Sequence, residues 1–237
     1  MKVQDAGLHG LKRIELDVFT DERGYFLESH QAERYAQALG YDGLRFVQDN
    51  CSHSHRGVLR GLHYQIAHPQ GKLLRVVQGA IFDVAVDLRM DSATFGKWDA
   101  TVLAAPGFQA GDSPDTGAWM EAVAGARLDI GRHVQLWVPP GFAHGFWVLS
   151  DSATVEYKCT DYYYPEDEAC LRWDDPDLAI AWPPGSPILS AKDRQGSSLA
   201  DLLRGGKIPA ATARQKAGSA LEAAAPGAGA APRRRPA

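Results

Sequence analysis

The chain has 237 residues, 25 basic against 29 acidic side chains for a net charge of −4, and three cysteines. That length suits one well-buried domain with appendages, or at most two small ones. The mildly acidic balance argues against a dedicated binder of nucleic acid, and no apolar run approaches the ~20 residues that cross a bilayer. The opening MKVQDAGLHGLKRIEL has neither the apolar core nor the cleavage site of a secretory leader. Cys51, Cys159 and Cys170 are too irregularly spaced for a disulfide framework or a zinc cluster, and read as reduced, mostly buried thiols. The expectation is a soluble cytoplasmic protein.

In chain order, residues 11–18 (LKRIELDV) alternate as a strand does, and 21–24 (DERG) read as a turn. A helix is predicted at 31–39, where QAERYAQAL stops before Gly40. Short β-type segments follow at 44–50, 58–65, 72–78, 80–88 and 98–104, and resume at 134–138, 144–149 and 153–160. Within 82–88, Phe82, Val84, Val86 and Leu88 alternate with Asp83, Ala85 and Asp87, which predicts one packed face and one wetter face. Many short strands with regular breaks indicate an all-β sandwich or barrel rather than βαβ units. Residues 105–127, rich in Gly, Pro, Asp and Ala, read as a long hairpin loop inserted in a domain spanning 1–204. Residues 205–237 hold almost no large apolar side chains and cannot offset the entropy of ordering them, so a disordered tail is expected, with Arg233–Arg235 as a solvated end.

The stretch GVLRGLHYQ, residues 57–65, is the most informative for chemistry. Arg60 and His63 would point to opposite faces of a regular strand, but Gly61 permits a bulge that could turn both toward one cavity. A guanidinium and an imidazole inside a barrel are costly unless a partner or ligand satisfies them, although a lone strand histidine is more often structural. In PPGFAHGF, Pro139, Gly141 and His144 form the P-x-G-x-x-H pattern seen where a cupin strand enters its barrel. A metal cupin also needs two histidines one residue apart and a carboxylate. His63, Tyr64 and Gln65 stand there instead, and the H-x-H made by His53 and His55 has no carboxylate at a fitting spacing, so no metal is expected. Tyr157 is a possible general acid or a plain hydrogen-bonding tyrosine. Tyr163 could stack on a flat ring or simply pack. Lys192 and Asp193 read as a solvated loop pair. Arg23, Glu28, Gln48, Asp49 and Asn50 are polar groups on otherwise apolar strands. Arg60, Lys72 and Arg75 supply cations that could hold a diphosphate or merely be solvated.

Taken in order, FTDERGYFLE, VQDNCSHS, GVLRGLHYQ, QGKLLRVVQGAIFDVAVDLR, TFGKW, LWVPPGFAHGF, YKCTDYYYP, LRWDDPDLAIAWP and LSAKD span about residues 10–203 and together closely resemble the dTDP-4-dehydrorhamnose 3,5-epimerases. The resemblance implies a double-stranded β-helix (a cupin or jelly-roll barrel) with a few short helices. It also implies a cofactor-independent isomerase acting on dTDP-4-dehydro-6-deoxy-glucose. His63 would be the general base, Asp193 its orienting carboxylate, Tyr157 the opposite acid, and Lys72 the cation at the C4 oxygen. Arg23, Glu28, Gln48, Asp49, Asn50, Arg60, His144, Glu168 and Lys192 would bind the sugar nucleotide, and Tyr163 would stack on thymine. A homodimer is implied in which an N-terminal portion of one subunit serves its neighbour's site. The competing readings are a relative that inverts only C3 or only C5, a non-catalytic cupin that senses a sugar nucleotide, and a metal-dependent isomerase or dioxygenase.

Overall fold

A computed structural model of the chain describes residues 1–109, 123 and 126–209. Two six-stranded sheets face each other. The first runs β1 (Lys2–Asp5), β2 (Lys12–Glu15), β11 (Val134–Val138), β7 (Lys72–Gln78), β13 (Ser152–Cys159) and β5 (Gln48–His55). The second runs β10 (Arg127–Asp129), β9 (Trp98–Ala104), β8 (Ala80–Asp87), β12 (Phe142–Val148), β6 (Leu59–Gln65) and β14 (Glu168–Cys170). Among the described strands of these sheets, all pairings are antiparallel except β10 with β9. A separate hairpin, β3 (Val18–Asp21) with β4 (Gly24–Leu27), stands off both sheets. This is the all-β, double-stranded β-helix architecture that was expected.

Three apolar clusters hold it. Leu74, Val76, Leu136 and Val155 of the first sheet meet Ile81, Leu103, Phe146 and Val148 of the second, filling the space between them. Behind the second sheet, Phe82, Val84, Val86 and Trp147 pack under the C-terminal segment, with Trp173, Trp182 and Leu202. Behind the first, Trp137, Ile14 and Leu73 receive the helix Ala32–Leu39 through Tyr35 and Leu39. That helix matches expectation: Gln31 accepts the Arg34 amide at its start, and Gly40 ends it in the left-handed region at φ 75°.

Because cover exists on both sides, β8 is buried along its whole length, which corrects the expected wet face. Asp83 and Asp87 lie inside: Asp87 is satisfied by Arg89, Ser92 and Thr94, whereas Asp83 engages His144 through Oδ2 and its Oδ1 has no partner among the described residues. Other boundaries shift for packing reasons. The 44–50 segment becomes strand only at Gln48, since Leu44 and Phe46 are drawn into the cluster around Trp137. The 11–18 segment splits between β2 and the start of β3. Strand β14 and the turn Pro165–Asp167 before it are too short to show in the pattern. Cys51 is exposed, whereas Cys159 is buried and Cys170 partly so; all three are free.

The hairpin reading of 105–127 fails at its described ends, because β9 and β10 run parallel and a hairpin joins antiparallel strands. Residues 110–122, 124 and 125 of that segment, and 210–237 of the expected tail, lie outside the described residues. The first tail residues do pack: the Tyr64 hydroxyl donates to the Lys207 carbonyl at 2.6 Å, and Ile208 rests on the core. Among the described residues, no helix is long and apolar enough to cross a membrane.

Candidate active site

Strand β6 slips against β12. His144 faces His63 and Phe146 faces Arg60, so three steps along β6 match two along β12. The extra residue falls in the stretch holding Gly61, whose φ is +118°. The bulge expected from the glycine is therefore present, and Arg60 and His63 line one cavity of about 310 Å³.

His63 Nε2 lies 2.5 Å from Asp193 Oδ1. Asp193 is in the short helix Ala191–Arg194, and Ser190 fixes it twice: the hydroxyl accepts the Asp193 amide at 3.1 Å and donates to Oδ2 at 2.8 Å. Burial opposes the charge on Asp193, but the hydrogen bond and charge of His63, with Ser190, outweigh it and hold the carboxyl below the usual range. An ionised Asp193 fixes the tautomer with the proton on Nε2 and leaves the Nδ1 lone pair for chemistry. Nδ1 is 4.0 Å from Glu168 Oε1. The other oxygen of Glu168 accepts the Tyr163 hydroxyl at 2.9 Å and the Lys192 ammonium at 2.6 Å. Burial again works against that carboxylate, and Lys192 and His63 carry it below its ordinary value.

Lys72 and Tyr157 line the same cavity. Burial pulls the Lys72 ammonium below the usual lysine range and pushes the Tyr157 phenol up, so the phenol keeps its proton. His144 is buried, with Nε2 2.9 Å from Asp83 Oδ2. Gln48 and Asn50 also face in; the Gln48 amide donates to Asn50 at 3.0 Å and its carbonyl accepts the Tyr163 amide at 2.9 Å.

Three predicted binding residues are not brought to this cavity. Asp49 alternates to the outer face of β5, where it pairs with Lys158 at 2.8 Å and borders a separate depression. Arg23 sits at the hairpin tip, paired with Asp21 at 2.6 Å, and Glu28 pairs with Arg34 at 2.6 Å. Asp83, Ser190 and Cys170 were not anticipated at the site. Asp83 and Ser190 carry no signal beyond being polar groups beside apolar ones or a helix start. Cys170 enters because β14 sets it opposite His63. Burial and the Asp193 charge push its thiol up to about 12, so it is neutral. The H-x-H pair falls elsewhere: His53 lies on β5 and contacts Thr154 at 2.9 Å.

This arrangement can remove a proton from carbon with His63, return one with Tyr157, and stabilise oxyanion charge with Lys72. The family model for dTDP-4-dehydrorhamnose 3,5-epimerase matches residues 5–110 and 111–201. The dTDP-4-dehydrorhamnose 3,5-epimerase of Pseudomonas aeruginosa is 45% identical over 202 residues, 85% of this chain and 97% of that one. A dTDP-4-dehydrorhamnose 3-epimerase of Streptomyces niveus is 35% identical, over 88% of this chain and 89% of its own. The crystal structure of the 3,5-epimerase from Legionella pneumophila, in complex with dTDP-4-keto-L-rhamnose, superposes with a TM-score of 0.73 at 43% identity, covering 90% of this chain and 99% of that one. The chain belongs to the dTDP-4-dehydrorhamnose 3,5-epimerase family, and it is an isomerase.

Proposed function

We propose that the chain converts dTDP-4-dehydro-6-deoxy-D-glucose to dTDP-4-dehydro-L-rhamnose, inverting C3 and C5 in turn through enolates. Protons on either carbon are acidified by the C4 ketone. His63 Nδ1 takes the proton, Asp193 steadies the imidazolium that results, and Lys72 meets the charge that builds on the C4 oxygen. Tyr157 returns a proton to the opposite face. Only protons move, so no hydride acceptor enters the scheme. Tyr163, Arg60, Gln48, Asn50, Glu168, His144 and Lys192 surround the sugar nucleotide, with Tyr163 against the base. The observation that carries this reading is the convergence of His63, Lys72 and Tyr157 on one cavity, with His63 bonded to Asp193.

The test is incubation of the 4-keto-6-deoxy sugar nucleotide in deuterium oxide with a downstream ketoreductase, comparing wild type with His63→Ala. Deuterium at both C3 and C5 is expected, with the variant slower by at least about 100-fold, the usual worth of a general base. An active variant contradicts the assignment. Label at one carbon alone would support the single-inversion reading, which the Streptomyces niveus relative keeps alive.

We also propose a homodimer in which the β3–β4 hairpin reaches the neighbouring subunit's cavity. Phe19, Tyr25 and Phe26 are 65, 62 and 71% exposed, far more apolar surface than a free hairpin would keep in water. Arg23 and Glu28 lie with it, away from their own cavity. Three unpaired cysteines support a cytoplasmic setting.

A further inference from the structure

We propose that His63, Cys170 and Asp193 form a binding site for a thiophilic divalent cation, zinc being the natural occupant, and that an ion held there inhibits the enzyme. The ligand atoms of these three side chains all lie within 4.8 Å of one another. A tetrahedral zinc ion, with bonds of about 2.0–2.3 Å, separates its ligand atoms by roughly 3.3–3.6 Å. Reaching that geometry means drawing the farthest pair together by about an ångström and parting His63 from Asp193 by about the same amount. Each donor is fixed by a different element: His63 by β6, Cys170 by its register opposite His63 on β14, and Asp193 by the Ser190 cap.

The donor set has the composition a zinc site wants, one imidazole, one thiolate and one carboxylate, and His63 borders the cavity, from which solvent can supply a fourth ligand. His63 and Asp193 alone would offer two ligands, as would any His–Asp pair. Cys170 is what makes the third. Its thiol takes no part in the proton transfers, and its hydrogen bond is a long contact to the Leu171 carbonyl at 3.7 Å. A coordinating cation removes the thiol proton to solvent. The resulting thiolate and the Asp193 carboxylate balance the two positive charges, so little net charge is buried. At His63, the ion takes Nε2, and the proton formerly held there moves to Nδ1. That nitrogen then has no lone pair with which to accept a proton from carbon. The ion thus opposes the reaction and is no cofactor of it. The inhibitory half rests on His63 being the base; the binding half does not.

Cobalt(II) titration of the full chain tests the binding half, because a thiolate ligand gives an intense near-ultraviolet charge-transfer band. The band is expected in wild type and in Cys51→Ser, and absent in Cys170→Ser and Cys170→Ala. No band, or one that survives loss of Cys170, overturns the site. For the inhibitory half, epimerase rates are measured with free zinc set by a metal buffer, since the substrate diphosphate also binds zinc, and each variant is scaled to its own metal-free rate. The half-inhibiting zinc concentration is expected to rise at least about tenfold in Cys170→Ser, the lower end of what even supporting contacts to a metal site contribute. Equal sensitivity overturns the inhibition. A cobalt–thiolate band in an enzyme that zinc leaves fully active would overturn the inhibition and the role of His63 as base, while leaving the site itself established.

Discussion

Gly61 and Gly145 cross with no room for a side chain: a Cβ on Gly61 would lie 2.7 Å from the Gly145 α-carbon and 2.7 Å from the His144 carbonyl oxygen. The close crossing is what lets β6 bulge and turn Arg60 and His63 to the same side. Gly61→Ala therefore meets both an unfavourable φ of +118° and fixed backbone. A loss of about 2–4 kcal/mol in denaturant unfolding is expected, with loss of epimerisation. Gly24 is the control, since its φ is +123° with nothing within 4 Å of an added Cβ. Gly24→Ala should show the strain alone, about 1 kcal/mol. Equal costs for the two would remove the crossing from the explanation.

That bulge was legible because a glycine between two polar residues in an apolar strand has few other purposes. The Asp193 contact was not legible in the residues themselves: LSAKD looks like a charged surface loop, and only the fold brings it across 130 positions to His63. The resemblance supplied it instead. Asp49 shows the converse. Period-two alternation along Gln48, Asp49 and Asn50 already separates the middle residue from its neighbours, and grouping the three by proximity in sequence obscured this. Asp83 was hidden by an assumption that a strand with alternating acids must face water, when its second face is covered by another sheet and the acid is spent on His144.

Asp193→Asn keeps the shape of the side chain but lets its amide present a donor to His63, which can hold the wrong tautomer. A fall in kcat of at least about 100-fold with little change in KM is expected. Stability gives a second reading. The Asp193 carboxyl is held below its unfolded value, so its contribution is present above the ordinary carboxylate range and is lost as pH falls through the depressed folded value. Wild type should therefore lose stability faster than Asp193→Asn as pH drops below about 4. Parallel acid limbs for the two proteins would refute the coupling.

Lys72 is half-buried at the cavity wall, and desolvation lets its ammonium deprotonate below the usual lysine range. As pH rises through that lowered value, the charge that meets the enolate disappears, so kcat/KM should decline on the alkaline side before a free lysine would titrate. Lys72→Arg stays charged throughout and should retain partial activity with the alkaline decline moved upward. Lys72→Met should lose about 100-fold or more at all pH values, on the scale of an oxyanion donor. An unmoved alkaline limb in Lys72→Arg would assign that titration to another group.

His144 is held by Asp83, both of them buried. Asp83→Ala leaves the imidazole without its partner in a site that water reaches poorly, and should cost about 1–3 kcal/mol of stability. If His144 binds sugar or phosphate rather than moving protons, KM should rise while kcat for the saturated enzyme changes little. A kcat collapse at unchanged KM would instead place His144 in the chemistry.

The hairpin can be tested by complementation. Arg23→Ala removes a residue that the exchange arrangement assigns to the neighbouring cavity, and His63→Ala removes the base of the subunit's own. Each homodimer should be nearly inactive. In a mixed dimer of the two, the subunit carrying Arg23→Ala keeps its own His63 and receives an intact Arg23 from its neighbour, so one site of the two is whole. Random mixing makes half of the dimers mixed, and recovery of about one quarter of wild-type activity is expected from a two-fold symmetric pair. If each hairpin instead served its own cavity, no site in the mixture would be whole and nothing would be recovered. Phe19→Ser with Phe26→Ser, which removes an exposed apolar pair midway along the hairpin, should shift sedimentation toward monomer and abolish the rescue together, because the same hairpin makes both the contact and the site.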